Sequence, residues 1–245
     1  MYRNPFIPQK KPNIAIVDGR TSKEINDNLS KYGVKIIKTC KCEELYYSIS
    51  YHPDIVLHPI NHKTVIVAPN VYDYYNDVLP FYGVKVIEGE KKLSRNYPEN
   101  IAYNVARISR YAVHNTKYTD EKLKFYIEQE GIEFINVNQG YSKCSLAIVG
   151  EDACITSDPS IFKELEKNSI DVLLIEEGFI ELPGLNYGFI GGATGMISKD
   201  ELLISGTLIE HPSLRKINDF LKKYKIKSVY LSNNRIIDIG SIITF

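Results

Sequence analysis

The chain has 245 residues, 44% of them hydrophobic, enough for one large domain with a substantial core. Thirty basic residues balance thirty acidic ones, so no net field draws the protein to nucleic acid or an anionic membrane, and a small molecule or a protein partner fits better. No stretch approaches the roughly 20 apolar residues of a membrane span, residues 1–11 lack the apolar run of a signal peptide, and Cys40, Cys42, Cys144 and Cys154 make no disulfide framework; a cytoplasmic protein with reduced thiols is expected.

Residues 1–12 read as an N-terminal extension of a single domain spanning 1–245. The first strand is expected at Ile14-Ala15-Ile16-Val17-Asp18, followed by a helix that starts at Thr21-Ser22-Lys23-Glu24. The phrase Tyr32-Gly33-Val34-Lys35-Ile36-Ile37 then closes that helix and opens an alternating apolar run. It returns at Tyr82-Gly83-Val84, Glu130-Gly131-Ile132, Asn168-Ser169-Ile170 and Tyr224-Lys225-Ile226, at spacings of 50, 48, 38 and 56 residues. Those spacings are too ragged for a solenoid.

Each later copy has the same elements before it. Helix starts stand at Asn70-Val71-Tyr72-Asp73, Thr119-Asp120-Glu121-Lys122, Ser157-Asp158-Pro159-Ser160 and His211-Pro212-Ser213-Leu214, with capping side chains or a first-turn Pro. Before those helices lie strands beginning at Thr64, Arg110, Ala153 and Leu202. Each is preceded by an opening strand, expected at residues 54–58, 101–105, 145–149 and 188–192. The first unit lacks an opening strand, while the C-terminal run 236–245 has no helix after it. Joining the two gives an α/β fold of five ββαβ units, a five-bladed pseudo-symmetric propeller closed by the C-terminal strand.

From Asn13 to Phe245 this pattern resembles the pentein fold of the guanidine-modifying superfamily, which includes deiminases, dimethylarginine hydrolases, amidinotransferases and a non-catalytic ribosome anti-association factor. Gly188-Phe189-Ile190-Gly191-Gly192 and His52-Pro53-Asp54 support it, and the sequence looks most like a bacterial branch without an assigned chemistry. The resemblance implies opening strands that converge on a central pocket, where a Cys attacks a guanidinium carbon, a His handles protons and acidic side chains hold the nitrogens. It also implies a nucleophile in the last strand after a Gly-rich turn. That stretch here is Asp238-Ile239-Gly240-Ser241-Ile242-Ile243-Thr244-Phe245, without a cysteine.

The residues offer two constellations for chemistry. On a strand, Asp54 and His58 share one face, suited to cation orientation and proton transfer; alternatively, Asp54 ends a strand and His58 caps a turn. In Asn138-Gln139-Gly140-Tyr141-Ser142-Lys143-Cys144-Ser145, a Gly precedes a Cys that opens a strand, and the Lys143 ammonium favours its thiolate; the alternative is an inert packed thiol. The enzyme reading takes Cys144 as nucleophile, His58 as general acid/base and Asp54 as cation holder. His52, Asn104, Asn138, Gln139, Lys143, Gly191 and Gly192 are expected to bind the ligand.

Gly191-Gly192-Ala193-Thr194-Gly195 lacks the Lys of a phosphate loop and suits close backbone approach better. Arg20 and Arg107 read either as partners of a substrate carboxylate or as solvated surface. No cofactor or metal is expected, although a metal hydrolase on His52, His58 and His62 is a weaker reading. Opposed to all enzyme readings stands a catalytically degenerate pentein that binds a small molecule or protein without turnover.

Overall fold

The recurring phrase is a helix exit with a left-handed residue. Its second position has φ of 75° at Gly33, 76° at Gly83, 73° at Gly131, 60° at Ser169 and 58° at Lys225. In that conformation the chain turns out of the helix while its amide satisfies a terminal carbonyl, as Gly33 does with Ser30 and Gly131 with Glu128. The third position, Val34, Val84, Ile132, Ile170 or Ile226, is then driven into the core. Glycine adopts this conformation freely, whereas other residues lose about 1 kcal/mol or more. Lys225→Gly is therefore expected to stabilise the protein by about 1 kcal/mol, seen as a higher urea midpoint at unchanged slope.

The computed structural model describes residues 3–245, so the first two residues of the expected N-terminal extension lie outside the described chain. Along it run β1 (Ile14–Val17), α1 (Lys23–Ser30) and β2 (Lys35–Lys38), then α2 (Pro53–Val56), β3 (Leu57–Asn61), β4 (Thr64–Val67), α3 (Tyr72–Val78) and β5 (Lys85–Glu88). The third unit is β6 (Ala106–Ile108), β7 (Tyr111–His114), α4 (Glu121–Gln129) and β8 (Glu133–Asn136). The fourth is α5 (Ser142–Ser145), β9 (Ala147–Gly150), β10 (Ala153–Thr156), α6 (Pro159–Lys167) and β11 (Asp171–Leu174). The fifth is β12 (Thr194–Met196), β13 (Glu201–Ile204), α7 (Leu214–Lys223) and β14 (Lys227–Tyr230), and the chain ends in β15 (Ile243–Thr244).

These strands form five three-stranded sheets: β15-β1-β2, β3-β4-β5, β6-β7-β8, β9-β10-β11 and β12-β13-β14. In each, the opening strand is antiparallel to the middle strand, and the closing strand is parallel to it through a helical crossover. Helices lie on the sheets through apolar residues spaced by four: Ile25 and Leu29, Leu123 and Ile127, Ile161 and Leu165, Ile217 and Leu221. Ser22, Asp120 and Asp158 cap α1, α4 and α6 by accepting backbone amides.

The opening strands begin later than expected. Residues 54–58 and 145–149 start as the turns α2 and α5, and 101–105 and 188–192 lie wholly before β6 and β12. Some of their backbone groups bond to a neighbouring unit instead of extending their own sheet, as Asn104 O does with Lys143 N and Gly192 O with Ser241 N. Asp54 and His58 therefore do not share a strand face. Ring closure is as expected: β15 pairs with β1 at Ala15↔Thr244 and Ile16↔Ile243, and Phe245 O accepts from Asn13 and Ile14.

The N-terminal segment packs onto the ring. Asn4 Nδ2 donates to Arg107 O (2.7 Å), and Phe6 lies edge-on to His58, its ring 5.1 Å from Lys143 Nζ. Two buried histidines tie stability to pH. His114 Nε2 donates to Gly140 O (2.9 Å), which leaves Nδ1 to accept from Thr119 Oγ1 (2.6 Å), and burial lowers its pKa to about 4. His58 is pushed in the same direction by burial and by Arg107. Because the unfolded chain takes up these protons first, stability is complete above about pH 6.5 and is lost toward pH 4, at about 1.4 kcal/mol per pH unit for each histidine. His114→Gln is expected to flatten that slope in urea titrations between pH 7 and 5.

Candidate active site

Five turns, one per unit, meet at the centre of the ring and are stitched by hydrogen bonds. Asp54 N donates to Gly240 O (3.1 Å), Asn104 Nδ2 to Asp54 O (2.9 Å) and Lys143 N to Asn104 O (3.1 Å). The belt closes through Gly192 N to Cys144 O (2.9 Å) and Ser241 N to Gly192 O (2.6 Å). A Cβ on Gly192 would collide with the Asp238 carboxylate, which is why the glycines mark a crowded centre.

This belt brings together a thiol, a carboxylate, a hydroxyl and an ammonium. Cys144 Sγ lies 3.3 and 3.2 Å from Asp54 Oδ1 and Oδ2, and Ser241 Oγ donates to Asp54 Oδ2 (2.5 Å). Lys143 Nζ donates to Ser241 Oγ (2.8 Å) and Gly191 O (3.3 Å). Asn104 braces the α5 turn: Oδ1 accepts from Lys143 N (2.9 Å) and Cys144 N (3.1 Å), and Nδ2 points at Cys144 Sγ (3.1 Å). Burial pushes the Cys144 thiol well above its usual pKa, and Asp54 and Asp238 push it further. The thiol is thus protonated at neutral pH, with a carboxylate in place to take its proton. The expected Lys143-stabilised thiolate is not what the free site holds, because Lys143 turns to Ser241.

Above the thiol is a cavity of about 230 Å³. Cys144, His52 and Asp238 form its polar end, Tyr46, Tyr141 and Phe189 its walls, and Leu185 its exposed rim. His52 lies between two carboxylates, Nε2 at 3.8 Å from Asp18 and Nδ1 at 3.7 Å from Asp238, with neither nitrogen hydrogen-bonded. Asp238 accepts from Phe189 N and Gly240 N (both 2.9 Å). Burial raises its pKa, which His52 opposes and Asp54 reinforces. A neighbouring cavity of about 290 Å³ shares Asp238 and Leu182 but contains no thiol. Aromatic walls ending in carboxylates suit a flat organic cation.

Of the residues singled out in the sequence, Cys144, Asp54, His52, Asn104, Lys143, Gly191 and Gly192 meet at this centre. His58 does not line the pocket: it is wholly buried against Phe6 without a hydrogen bond, so the imidazole facing the thiol's cavity is His52. Asn138 is exposed outside this pocket, and Gln139 is used by Asp158 (3.0 Å) and Tyr141 N (3.0 Å). Arg20 is exposed but not free, held by Asp18 at both Nε (3.0 Å) and Nη2 (2.6 Å) and stacked on Tyr51. Arg107 is buried rather than on the surface, which lowers its pKa to about 10. Among the described residues, no group of three or more His, Cys, Asp or Glu side chains is placed to hold a metal ion. Asp18, Asp238 and Ser241 were given no site role by the sequence: Asp18 stood only as the end of the first strand, and Asp238 and Ser241 only within the C-terminal stretch that lacks a cysteine.

Among the described residues no helix is long and apolar enough to cross a membrane. The model of a family described as of unknown function, DUF6873, matches residues 16–243. A comparison with curated proteins finds no match. Among solved structures the chain is similar to SxtG, an amidinotransferase of saxitoxin biosynthesis from Microseira wollei, at 13% identity and TM-score 0.55, covering 95% of this chain and 92% of that one. It is similar to agmatine deiminase from C. jejuni at 10% identity and TM-score 0.56, covering 92% and 89%. DDAH from Pseudomonas aeruginosa, complexed with citrulline, gives 9% identity and TM-score 0.55, covering 91% and 93%. The fold is that of the pentein superfamily.

Proposed function

We infer the function from the pocket itself, because the chain belongs to DUF6873, a family of unknown function. The reading is a cysteine-dependent hydrolase or transferase acting on a guanidino or amidino compound. One observation carries it: a thiol at 3.2 and 3.3 Å from both oxygens of Asp54, on the floor of an aromatic pocket that holds a second carboxylate and a histidine. The cation would stack on Tyr141 and Phe189 and bond to Asp238. Its charge beside Cys144 would offset the carboxylates that hold the thiol protonated. Cys144 then gives its proton to Asp54 and the sulfur pair forms an S–C bond to the cationic carbon. The C–N bond breaks, its electron pair leaves with the nitrogen, and His52 is placed to hand over the proton that nitrogen needs. Water, or an amine, displaces the thiol to finish the cycle.

The test is alkylation of Cys144 with and without a panel of guanidino and amidino compounds, read by mass spectrometry together with product formation. Slow alkylation of the free protein, protection by one compound and release of its nitrogen product are expected. A panel that changes neither alkylation nor products would overturn the reading. Ser241, standing in the closing segment where the resemblance places the nucleophile, favours the second reading, a binding protein without turnover. Protection without product or adduct would select it.

A further inference from the structure

We propose that Lys143 and Ser241 are positioning residues for Asp54: the Lys143 ammonium, acting through the Ser241 hydroxyl, holds the carboxylate turned toward Cys144. This rests on the pocket reading above, and it gives a role to two buried groups that the chemistry there leaves unused.

The directions of the hydrogen bonds follow from the groups themselves. An ammonium only donates, so at 2.8 Å Ser241 Oγ must accept from Lys143, and its single proton goes to Asp54 Oδ2 at 2.5 Å, the nearer and charged acceptor, rather than to Gly191 O at 2.9 Å. That fixes one carboxylate oxygen and leaves Oδ1, 3.3 Å from Sγ, free to receive the thiol proton. Lys143 is almost fully buried and, among the described residues, makes no direct ion pair; the carboxylate it serves is one hydroxyl away. Burying a cation costs several kcal/mol unless nearby negative charge offsets it. Asp54 and Asp238 supply that charge and oppose the downward push of burial on the ammonium.

Ser241 carries a second mark. Its φ is 72°, a left-handed conformation that an L-residue adopts at a cost, and it follows Gly240 at 66°. A glycine would fit the backbone better, yet a hydroxyl stands there, and it is the atom that joins Lys143 to Asp54. Strain kept in place around a functional atom is what a positioning role requires. The groups facing Asp54 are Cys144 and Lys143 from the fourth unit, Asp238 and Ser241 from the closing segment, and, beyond Asp238, His52 from its own turn. Lys143 is the one ammonium among them, its pKa lowered by burial against the pull of the two carboxylates.

The experiment reads Asp54 directly, by the carbon-13 shift of its side-chain carboxyl in the full-length protein at neutral pH, assigned with Asp54→Asn. Ser241→Gly removes the hydroxyl while suiting a φ of 72°, so the backbone is retained. Lys143→Met removes the charge and keeps the length. In Ser241→Gly the Asp54 carboxyl signal is expected to be displaced from its wild-type position as the carboxylate loses its fixed orientation, and in Lys143→Met to move in the same direction. A folded Ser241→Gly protein whose Asp54 carboxyl signal matches wild type overturns the proposal, whatever becomes of the Lys143 variant. Guanidino compounds play no part in this measurement, so it stands or falls separately from the reading of the pocket's substrate.

Discussion

Asp54→Asn is expected to make Cys144 more reactive toward alkylating reagents and the protein less active, two changes of opposite sign from one substitution. In the native protein the carboxylate lies against the thiol and, with burial, raises its pKa. An amide of the same shape removes that repulsion, the larger of the two carboxylate effects on the thiol, so more of the thiol ionises at neutral pH. A fall of about one unit in the thiol pKa speeds alkylation roughly tenfold. Turnover moves the other way, because an amide cannot take the proton of Cys144; loss of a general base lowers the rate by about 10²- to 10⁴-fold. The folded state also suffers, since Lys143 keeps its buried charge without the carboxylate that offset it, at about 3 kcal/mol. Combining Asp54→Asn with Lys143→Met should recover much of that loss, and the non-additivity measures the coupling between them. Alkylation that is unchanged or slower in Asp54→Asn would show that the carboxylate does not govern the thiol.

The ring was legible because its signals are local. A left-handed residue after each helix, followed by a buried Val or Ile, is a backbone requirement that the sequence repeats five times, and Ser169 and Lys225 satisfy it without glycine. The opening strands were misplaced for a physical reason: residues 53–60 are all buried, so alternation has no contrast to report, and a buried turn such as α2 looks like a buried strand. The same loss of contrast made His58 look like a pocket residue. Asp54, Asn104, Lys143 and Cys144 were readable as polar residues at one point of the repeat. Which of them touch is set by bonds between units, with Ser241 reaching Asp54 across most of the chain. No periodicity within a unit encodes such a pairing, and so His52, rather than His58, emerged as the pocket's imidazole only from the folded ring.

Removing residues 242–245 is expected to abolish cooperative folding, although only β15 and its flanks are lost. Ile242 and Ile243 are almost completely buried, and burying side chains of that size contributes about 2 to 3 kcal/mol each. With them go the ladder to Ala15 and Ile16, the bonds from Asn13 and Ile14 to Phe245 O, and the bond from Thr244 Oγ1 to Met196 O (3.0 Å). The summed loss rivals the roughly 5 to 15 kcal/mol by which a domain is normally stable. An open array that lost its last strand would fray at one end and keep the rest. Here β15 also joins the fifth unit to the first, so its loss exposes β1, a fully buried strand, and releases the turn that carries Asp238, Gly240 and Ser241. Ile243→Ala, which keeps the backbone closure, should cost about 2 to 5 kcal/mol and retain a single urea transition. A truncated chain that still unfolds in one sharp transition, near the wild-type midpoint, would mean that the units stand without closure. The central site would then owe its geometry to each turn alone rather than to the ring that presses them together.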